Sequence, residues 1–376
     1  MPTTAPAPTG RVVVGVSGGV DSAVAALPLQ RAGFDVHGLF MSNWDEDDAY
    51  CTAAADFQDA RRSCDLLGIP LHRVSFAAEY RERVFADFLA GQRAGRTPNP
   101  DVLCNREIKF GVCLDYARRL GAAAFATGHY ARAARGDDGP RLLKALDRDK
   151  DQSYFLHAIE REALAAARFP LGELTKPQVR ALAREAGLPV HDKPDSTGIC
   201  FIGERPFRDF LAGWLRPEPG PIETPDGRVL GQHRGVAFYT LGQRGGLEIG
   251  GRAGFDEQPW YVAAKDAARN ALVVVQGHDH PLLQSRGLLT APAHWLLETP
   301  SAPFDCQVKV RYRQHDQAAR VEPLADGRVR VRFDAPQRAV TPGQACVFYA
   351  GERCLGGAVI DVTFATTDAT TAGVAA

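Results

Sequence analysis

The sequence lacks an excess of charge of either sign, since 44 Lys and Arg residues face 45 Asp and Glu residues in a chain of 376. It also lacks an apolar run of roughly 18 residues, so we expect no membrane-spanning helix. Its eight cysteines include no C-x-x-C pair, which argues against a structural zinc site and a disulfide scaffold. These absences predict a cytoplasmic protein in which any nucleic-acid site is a local patch.

The length of the chain and the changes in its sequence patterns predict three folded domains between two tails. Residues 11–208 alternate strand-like and helical patterns, which predicts an α/β catalytic domain built on a doubly wound, mostly parallel sheet. Farther along, short strands and Gly/Pro-rich turns predict a small central domain at 209–283 and a C-terminal β-barrel at 284–364. Composition rich in Thr and Ala predicts disordered tails at 1–10 and 365–376.

A glycine-rich turn follows the first strand-like run, Val12–Val14. It comprises Gly15, Val16, Ser17, Gly18, Gly19, Val20, Asp21 and Ser22. Such a turn points backbone N–H groups at an anion, while its glycines allow close approach. It is neither a Walker A loop nor the dinucleotide fingerprint, because no Lys-Ser/Thr pair follows and the glycine spacing differs. The pattern resembles the pyrophosphate loop of the ATP pyrophosphatases, and an ordinary Gly-rich turn is the alternative.

Other candidate residues stand where predicted strands end. Asp21 is a candidate ligand for a metal ion on the phosphates. Met41 ends the second predicted strand, and the pair Gly128–His129 follows a later strand at Ala124–Thr127. Open α/β sheets bind ligands outside the carboxyl ends of their strands. We therefore expect these residues to face the ligand crevice, although His129 is equally compatible with a structural role.

Two segments predicted to be irregular each carry one cysteine. Arg96–Asn105 contains two prolines and two asparagines, which predict a loop. It carries Asp101 and Cys104 just before a predicted helix, a setting that lowers the pKa of a thiol. The second segment, Asp192–Glu204, holds Cys200 between apolar residues. We interpret the pair as thiols that meet across one cleft, a hypothesis that sequence spacing does not test; buried, inert thiols are the alternative.

The C-terminal region is locally basic. Residues 306–332 hold seven Lys and Arg residues against three acidic ones. Alternation in a predicted strand over 306–313 places Lys309, Arg311 and Arg313 on one face. This pattern predicts a footprint for a phosphate backbone, and a solvated strand face is the alternative.

Taken together, the motifs resemble one family, the bacterial tRNA-specific 2-thiouridylases, which make the 2-thio group of the anticodon wobble uridine. The resemblance runs from about Arg11 to Val362. The matching motifs are Ser17–Ser22, Gly38–Met41, Asn99–Asp101, Cys104, Thr127–Tyr130, Lys150–Leu156, Asp195–Glu204, Thr240–Arg244, Val310–Gln314 and Thr341–Gln344. Both cysteine segments and the barrel motifs make the resemblance specific, whereas the phosphate loop alone marks only the superfamily.

This resemblance implies cofactors, partners and a role for each matched residue. It implies that ATP, with Mg²⁺, is bound by Gly15 to Ser22, Met41 and Gly128. It implies that Cys200 carries a persulfide, that Cys104 is the second catalytic thiol, and that Asp101 is a general base or acid. The implied target-base contacts are Asn99, Pro100 and Asp101, and the implied tRNA contacts are His129, Lys150, Asp151, Gln152, Arg311, Tyr312 and Gln344. The implied partners are the tRNA anticodon loop and a persulfide sulfur-donor protein.

The implied chemistry is adenylation followed by sulfur transfer. Adenylating the uridine C2 oxygen makes it a leaving group, and the amide cradle stabilises the departing pyrophosphate. Cys104 then either releases sulfide from Cys200 or resolves the Cys200 sulfur into a disulfide. Two other functions stay open. One is an adenylating ligase of the same superfamily, which needs neither cysteine, and the other is a non-catalytic RNA-binding protein, against which the intact loop argues.

Overall fold

The computed structural model describes residues 10–44, 53–195, 207–250 and 254–365. The two predicted tails lie almost wholly outside these ranges, as does Cys200. No helix within the ranges combines the length and apolar character that crossing a membrane requires.

A five-stranded parallel sheet with the order β3-β2-β1-β4-β7 forms the core of the N-terminal domain. The strands of this part of the chain are β1 (Arg11–Gly15), β2 (Asp35–Ser42), β3 (Leu71–Ser75), β4 (Ala122–Ala126), β5 (Ala131–Gly136), β6 (Gly139–Lys144) and β7 (Ala167–Arg168). Val12 and Val14 of β1 pack into one apolar cluster and Val13 into another. Alternate residues of the central strand thus enter cores on opposite faces of the sheet. The predicted doubly wound α/β domain is confirmed.

Helices cover this sheet and connect its strands. The α-helices in the described ranges are α1 (Val20–Val24), α2 (Ala26–Arg31), α3 (Ala53–Leu67), α4 (Ala77–Tyr80), α5 (Ala86–Arg93), α6 (Pro100–Leu103), α7 (Leu114–Arg119), α8 (Ser153–Leu156), α9 (Arg161–Ala166), α10 (Lys176–Glu185) and α11 (Phe207–Ala212). Two π-helical stretches, Arg81–Phe85 and Cys104–Cys113, join α4 to α5 and α6 to α7. Short 3₁₀ turns occupy Val236–Phe238 and Pro281–Leu283.

The predicted loop at 96–105 is wrong for its second half, because helix α6 begins at Pro100. Pro100 occupies the first turn, where the N–H that proline lacks has no intrahelical acceptor. The side chain of Asn99 caps the helix by accepting a hydrogen bond from the Asp101 N–H at 3.1 Å. The residues that argued for a loop are therefore a helix start signal. Cys104 consequently lies in a helix that continues from α6 to a kink at Gly111, and not on a loop.

Two β-domains follow. The central domain contains a four-stranded sheet with the order β10-β11-β8-β9, and the C-terminal region a nine-stranded sheet. Their strands are β8 (Gly220–Glu223), β9 (Val229–His233), β10 (Trp260–Asp266), β11 (Ala271–Gln276), β12 (Gln284–Thr290), β13 (His294–Trp295), β14 (Phe304–Lys309), β15 (Gln317–Pro323), β16 (Val329–Arg338), β17 (Ala345–Ala350) and β18 (Arg353–Phe364). Strand β12 pairs with both β16 and β18. This double pairing closes the sheet, which confirms the predicted barrel.

The N-terminal domain contributes directly to the barrel sheet. Strands β5 and β6 form a hairpin, and β6 pairs antiparallel with β18 through Leu142 and Leu143. The two domains thus share one hydrogen-bonded sheet, so they are held together by backbone bonds as well as side chains.

Of the predicted basic face of the barrel, Lys309 is buried, whereas Arg313 is exposed. Strand β14 ends at Lys309, which is 9% exposed and lies 3.7 Å from the Asp151 carboxylate. Three other basic side chains of the region form ion pairs with neighbouring acids, namely Arg320 with Asp305, Arg328 with Asp326 and Arg330 with Glu322. Four of the seven basic side chains thus have acidic partners, and the footprint for a phosphate backbone stays a prediction.

Candidate active site

The predicted phosphate loop connects β1 to α1 at the carboxyl edge of the sheet. At two positions, the backbone packs so closely around the loop that only glycine fits. Gly18 has a φ of +80°, and a Cβ there would lie 2.3 Å from the Asp56 carbonyl oxygen. A Cβ on Gly128 would lie 2.8 Å from backbone atoms of Asp21 and Ser22. The loop is thus wedged between the start of α3 and the end of β4.

The Ser22 hydroxyl fixes the shape of the loop. It accepts a hydrogen bond from the Ser17 N–H at 3.0 Å and donates to the Gly19 carbonyl at 3.0 Å. Met41 lies beside this loop, since its terminal methyl is 3.7 Å from the position that a Cβ on Gly15 would take. The structure therefore brings the loop, Met41 and Gly128 together at one place, as the sequence predicted.

The Asp21 carboxylate is held by two side chains. Lys176 Nζ, at the first residue of α10, donates to both carboxylate oxygens at 2.7 and 2.8 Å. The Tyr130 hydroxyl donates to the first of these oxygens at 2.8 Å. Lys176 is 8% exposed and also pairs with Asp195 at 2.7 Å. One ammonium group thus links the phosphate loop to Asp195, in the described part of the Cys200 segment.

Asp195 lies among three cations. Besides Lys176, its carboxylate accepts from Lys150 at 2.8 Å and from Arg180 at 3.0 Å. Partial burial alone would raise the pKa of Asp195, but the hydrogen bonds from Lys150 and Lys176 lower it from 3.8 to about 2. The carboxylate therefore stays ionised and anchors the described part of the Cys200 segment.

A second lysine, Lys193, contacts the loop itself. Its ammonium donates to the Gly18 carbonyl at 3.0 Å and to carboxylate oxygens of Asp56 and Asp59, each at 2.8 Å. The sequence analysis missed both lysines as site residues. The signal they share is a Lys-Pro pair, Lys176–Pro177 at the start of α10 and Lys193–Pro194 just after a turn.

Pro100, Asp101 and Cys104 lie on the helical stretch that starts at Pro100, and Asn99 caps it. Asp101 is half-buried in the first turn, and Cys104 is fully buried one turn later. The stretch is kinked at Gly111, whose φ of −103° and ψ of −105° are not helical. Asn105, next to Cys104, donates to the Phe155 carbonyl at 3.0 Å. Because Cys200 is outside the described residues, the predicted meeting of the two thiols stays a prediction.

His129 and Gln152, two predicted tRNA contacts, engage their own domain. The His129 ring lies 2.8 Å from the Thr127 hydroxyl and 3.5 Å from the Lys109 ammonium. Burial, with the charge of Lys109, holds the pKa of His129 well below 6.5, so the ring is neutral at pH 7. The Gln152 side-chain carbonyl accepts from the Tyr130 N–H at 3.0 Å. Together with Lys150, these residues lie next to the loop.

Asp151 differs from its neighbours because it is 3% exposed. Its carboxylate accepts from the Ala145 N–H at 3.0 Å and from the Ser153 hydroxyl at 2.9 Å, and it lies 3.7 Å from Lys309 Nζ. Lys144, 5% exposed, pairs with Asp316 in the same network. The tRNA contact predicted for Asp151 does not fit this buried carboxylate, which instead joins the N-terminal domain to the barrel.

The three predicted tRNA contacts on the barrel also touch other domains. Arg311 donates to the carbonyls of Leu241 at 3.1 Å and Ala339 at 2.7 Å. The Tyr312 ring packs on Phe155 with centroids 4.4 Å apart. Gln344 donates to the Thr97 carbonyl at 2.7 Å. These side chains therefore hold the domains in register, and their contacts with RNA stay predictions.

Family models and curated relatives match nearly the whole chain. A tRNA methyl transferase HUP domain matches residues 10–204, a tRNA methyl transferase PRC-barrel domain 208–276, and an aminomethyltransferase beta-barrel domain 285–360. The tRNA-specific 2-thiouridylase MnmA of Marinobacter nauticus is 58% identical over 94% of this chain and 92% of its own length. The proteins of the same name from Vibrio cholerae and Methylococcus capsulatus are 56% and 57% identical, over 93% and 94% of this chain and 96% of their own lengths.

The chain belongs to the tRNA-specific 2-thiouridylase family. The resemblance drawn from the motifs is thereby confirmed. Because the relatives match nearly end to end, membership covers the phosphate loop, the helical stretch with Cys104 and the barrel together. In this family member, Asp151 and Gln344 join the N-terminal domain to the barrel, and Lys176 links the phosphate loop to Asp195.

The ion pairs of Asp195 predict a loss of stability in acid. A carboxyl group whose pKa falls from 3.8 to about 2 on folding contributes about 2 kcal/mol at neutral pH. Because the folded-state pKa is depressed, this contribution is present above pH 4 and disappears as the pH falls toward 2. We expect Asp195→Asn to unfold more readily than wild type at pH 6 and equally readily near pH 2, as measured by urea denaturation. A difference that does not change with pH would contradict the assignment.

Proposed function

We propose that this protein 2-thiolates the wobble uridine of tRNA in an ATP-dependent reaction. The observation that carries the proposal is the loop at the end of β1. Gly18 and Gly128 pack there so closely against neighbouring backbone that a side chain would not fit. Lys176 and Lys193 place ammonium groups beside the loop. This cradle suits a triphosphate. It stands in a chain of the tRNA-specific 2-thiouridylase family.

ATP lies with its phosphates against the loop amides. The loop, Met41 and Gly128 bind it, and the two lysines balance the charge of the phosphates. Asp21 fits as a ligand of Mg²⁺, because this ion takes one or two carboxylates and completes its shell with phosphates and water. The described residues contain no group of three or more His, Cys, Asp or Glu side chains that could hold a metal on its own. When bound, Mg²⁺ neutralises charge on the phosphates.

The target uridine lies against the start of α6. Asn99, Pro100 and Asp101 contact the base, and Asp101 serves as general base or acid. The uridine C2 oxygen attacks the α-phosphate of ATP, and pyrophosphate leaves toward the loop. A base in this position has left the anticodon stack, which suits recognition of a single-stranded loop. His129, Lys150, Gln152, Arg311 and Tyr312 are proposed to contact the rest of the tRNA.

Sulfur then replaces the activated oxygen. A sulfur-donor protein loads Cys200 as a persulfide, whose terminal sulfur attacks C2 while AMP leaves. Cys104 attacks the inner sulfur of Cys200, which leaves the terminal sulfur on the base and forms a Cys104–Cys200 disulfide. In the alternative order, Cys104 first releases hydrosulfide, and this attacks C2. Both orders end in the same disulfide, so both need a thiol reductant before the next turnover.

The decisive experiment measures pyrophosphate release and the nucleosides of tRNA together. We expect pyrophosphate release to require added tRNA, and mass analysis to find 2-thiouridine only when ATP and a persulfide donor are present. Release that requires a small carboxylate or carbonyl compound instead of tRNA would favour a ligase of the same superfamily. Binding of tRNA without pyrophosphate release would favour a non-catalytic RNA-binding protein.

A further inference from the structure

A tight turn of the barrel, Thr341–Gln344, grips the chain just before the base-contacting residues. Gln344 Nε2 donates to the Thr97 carbonyl at 2.7 Å, and the Thr97 N–H donates to the Pro342 carbonyl at 3.0 Å. Arg96, the preceding residue, pairs with Asp361 of β18 at 2.7 Å. Both backbone groups of Thr97 are thus bonded to the barrel, two residues before Asn99.

The turn and residues 96–98 are also in close steric contact. Gly343 has a φ of +94°, and a Cβ on it would lie 2.8 Å from the Thr97 nitrogen and 2.9 Å from its carbonyl carbon. On the other side of the segment, a Cβ on Gly91 of α5 would lie 2.9 Å from Pro98 Cγ. Residues 96–98 are therefore held between α5 and the barrel turn, with room for no more than a hydrogen on either side.

The turn is itself rigidly fixed. Its Gly343 N–H donates to the Ile360 carbonyl at 2.8 Å, and the Ile360 N–H donates to the Gln344 carbonyl at 2.8 Å. On the other side of Thr97, Pro98 and Pro100 restrict the backbone, and Asn99 caps α6. A short and stiff path therefore runs from β18 through Thr97 to Asp101 and on to Cys104.

We propose that the Thr341–Gln344 turn positions the base-contacting segment, and that Gly343 and Gln344 act on the reaction through Thr97. This inference rests on the proposed function, and it gives Gln344 a role other than direct contact with RNA. The barrel thereby sets the place of Asp101 relative to the phosphate loop, and a change in the turn is expected to change the rate of the reaction.

The test compares two variants of the turn with two matched controls. Gly343→Ala pushes a methyl group against Thr97, and Gln344→Ala removes one of its hydrogen bonds. Gly351→Ala is the first control, because Gly351 also has a positive φ of +59° but has no atom within 4 Å of the Cβ position. Gln307→Ala is the second, because the Gln307 side chain accepts from the Gly351 N–H within the barrel.

Two measurements follow on the full-length protein. In the protein alone, amide hydrogen exchange over residues 97–103 should become faster in both turn variants and stay unchanged in both controls. In the thiolation reaction, kcat should fall about tenfold to 100-fold, while the Kd for tRNA stays within about twofold of wild type because no RNA contact is removed.

Two outcomes would overturn the proposal. One is unchanged exchange over 97–103 in Gln344→Ala, a variant that is expected to fold even where Gly343→Ala is not. The other is a loss confined to tRNA affinity, which would make Gln344 a direct RNA contact. The exchange measurement needs neither ATP nor tRNA, so it decides the coupling even if wild type fails to thiolate tRNA and the proposed function is wrong.

Discussion

We expect the Asp21→Asn variant to lose tRNA-dependent pyrophosphate release by at least about 100-fold, the scale of removing one electrostatic group from an active site. Asparagine keeps the shape of aspartate but removes the charge that would hold Mg²⁺ on the phosphates. It also weakens the hold on Lys176, whose ammonium donates to both oxygens of Asp21 at 2.7 and 2.8 Å and is then fixed mainly by Asp195 at 2.7 Å. The phosphate end of the site would therefore lose a metal ligand and one charged partner of its cation.

The matched control is Asp35→Asn. Asp35 is at the amino end of β2, on the opposite edge of the sheet, where it forms an exposed ion pair with Arg11 at 2.8 Å. Exposed pairs contribute little to stability, so this variant should release pyrophosphate at the wild-type rate. Binding of tRNA should be nearly unchanged in both variants. Full turnover by Asp21→Asn would contradict the proposal that the loop binds the phosphates of ATP.

The parts of the fold that the sequence predicts well are those whose signals are local. Three consecutive valines before a glycine-rich turn specify a buried strand and a loop, and the structure places both as expected. Turn residues between short strands likewise indicated the barrel. These signals work because backbone conformation is decided within a few residues, whereas the partners of a side chain are decided by the fold.

The errors follow from the same distinction. Pro100 was interpreted as a helix breaker, but at the first turn of a helix its missing N–H has no cost. Lys309 alternates with apolar residues like an exposed side chain, yet a buried carboxylate from another domain, that of Asp151, lies 3.7 Å away. Neither the depth of Lys309 nor the identity of its partner is encoded in its neighbours along the chain.

The candidate site shows the same division. The glycines of the phosphate loop were found because their spacing is a motif in itself. Lys176 and Lys193 were missed because they follow the loop by more than 150 residues in the sequence and reach it only through the fold. The family resemblance placed Gln344 near the site. Its hydrogen bond to the Thr97 carbonyl depends on how the barrel packs against the N-terminal domain, which the sequence does not predict.

The largest effect is expected from the two cysteines, whose replacement should separate activation from sulfur transfer. Cys200→Ser should accept no sulfur from a persulfide donor, because a hydroxyl group cannot carry one. Cys104→Ser should be persulfidated at Cys200 but should form no 2-thiouridine. Both variants should still release pyrophosphate with tRNA, because adenylation precedes sulfur transfer.

Burial makes Cys104 the critical member of this pair. It is fully buried at the start of the π-helical stretch, and a buried thiol is inert unless the protein opens to expose it. Cys64→Ser is the matched control, because Cys64 is also buried and burial raises the pKa of its thiol to about 12. Peptide mapping after persulfide loading and mass analysis of tRNA nucleosides are the measurements. Normal thiolation by Cys104→Ser would show that Cys104 has only a structural role in the core.

Mild oxidation offers an independent measurement on the same pair. Wild type should form a Cys104–Cys200 disulfide if the segments bring the Cα atoms within about 7 Å, and Cys64→Ser should form it equally well. Both orders of sulfur transfer produce this disulfide, so its absence after turnover without a thiol reductant would contradict them both. Persulfide sulfur on Cys51, Cys64, Cys113 or a barrel cysteine, with Cys200 unlabelled, would transfer the carrier role to another thiol.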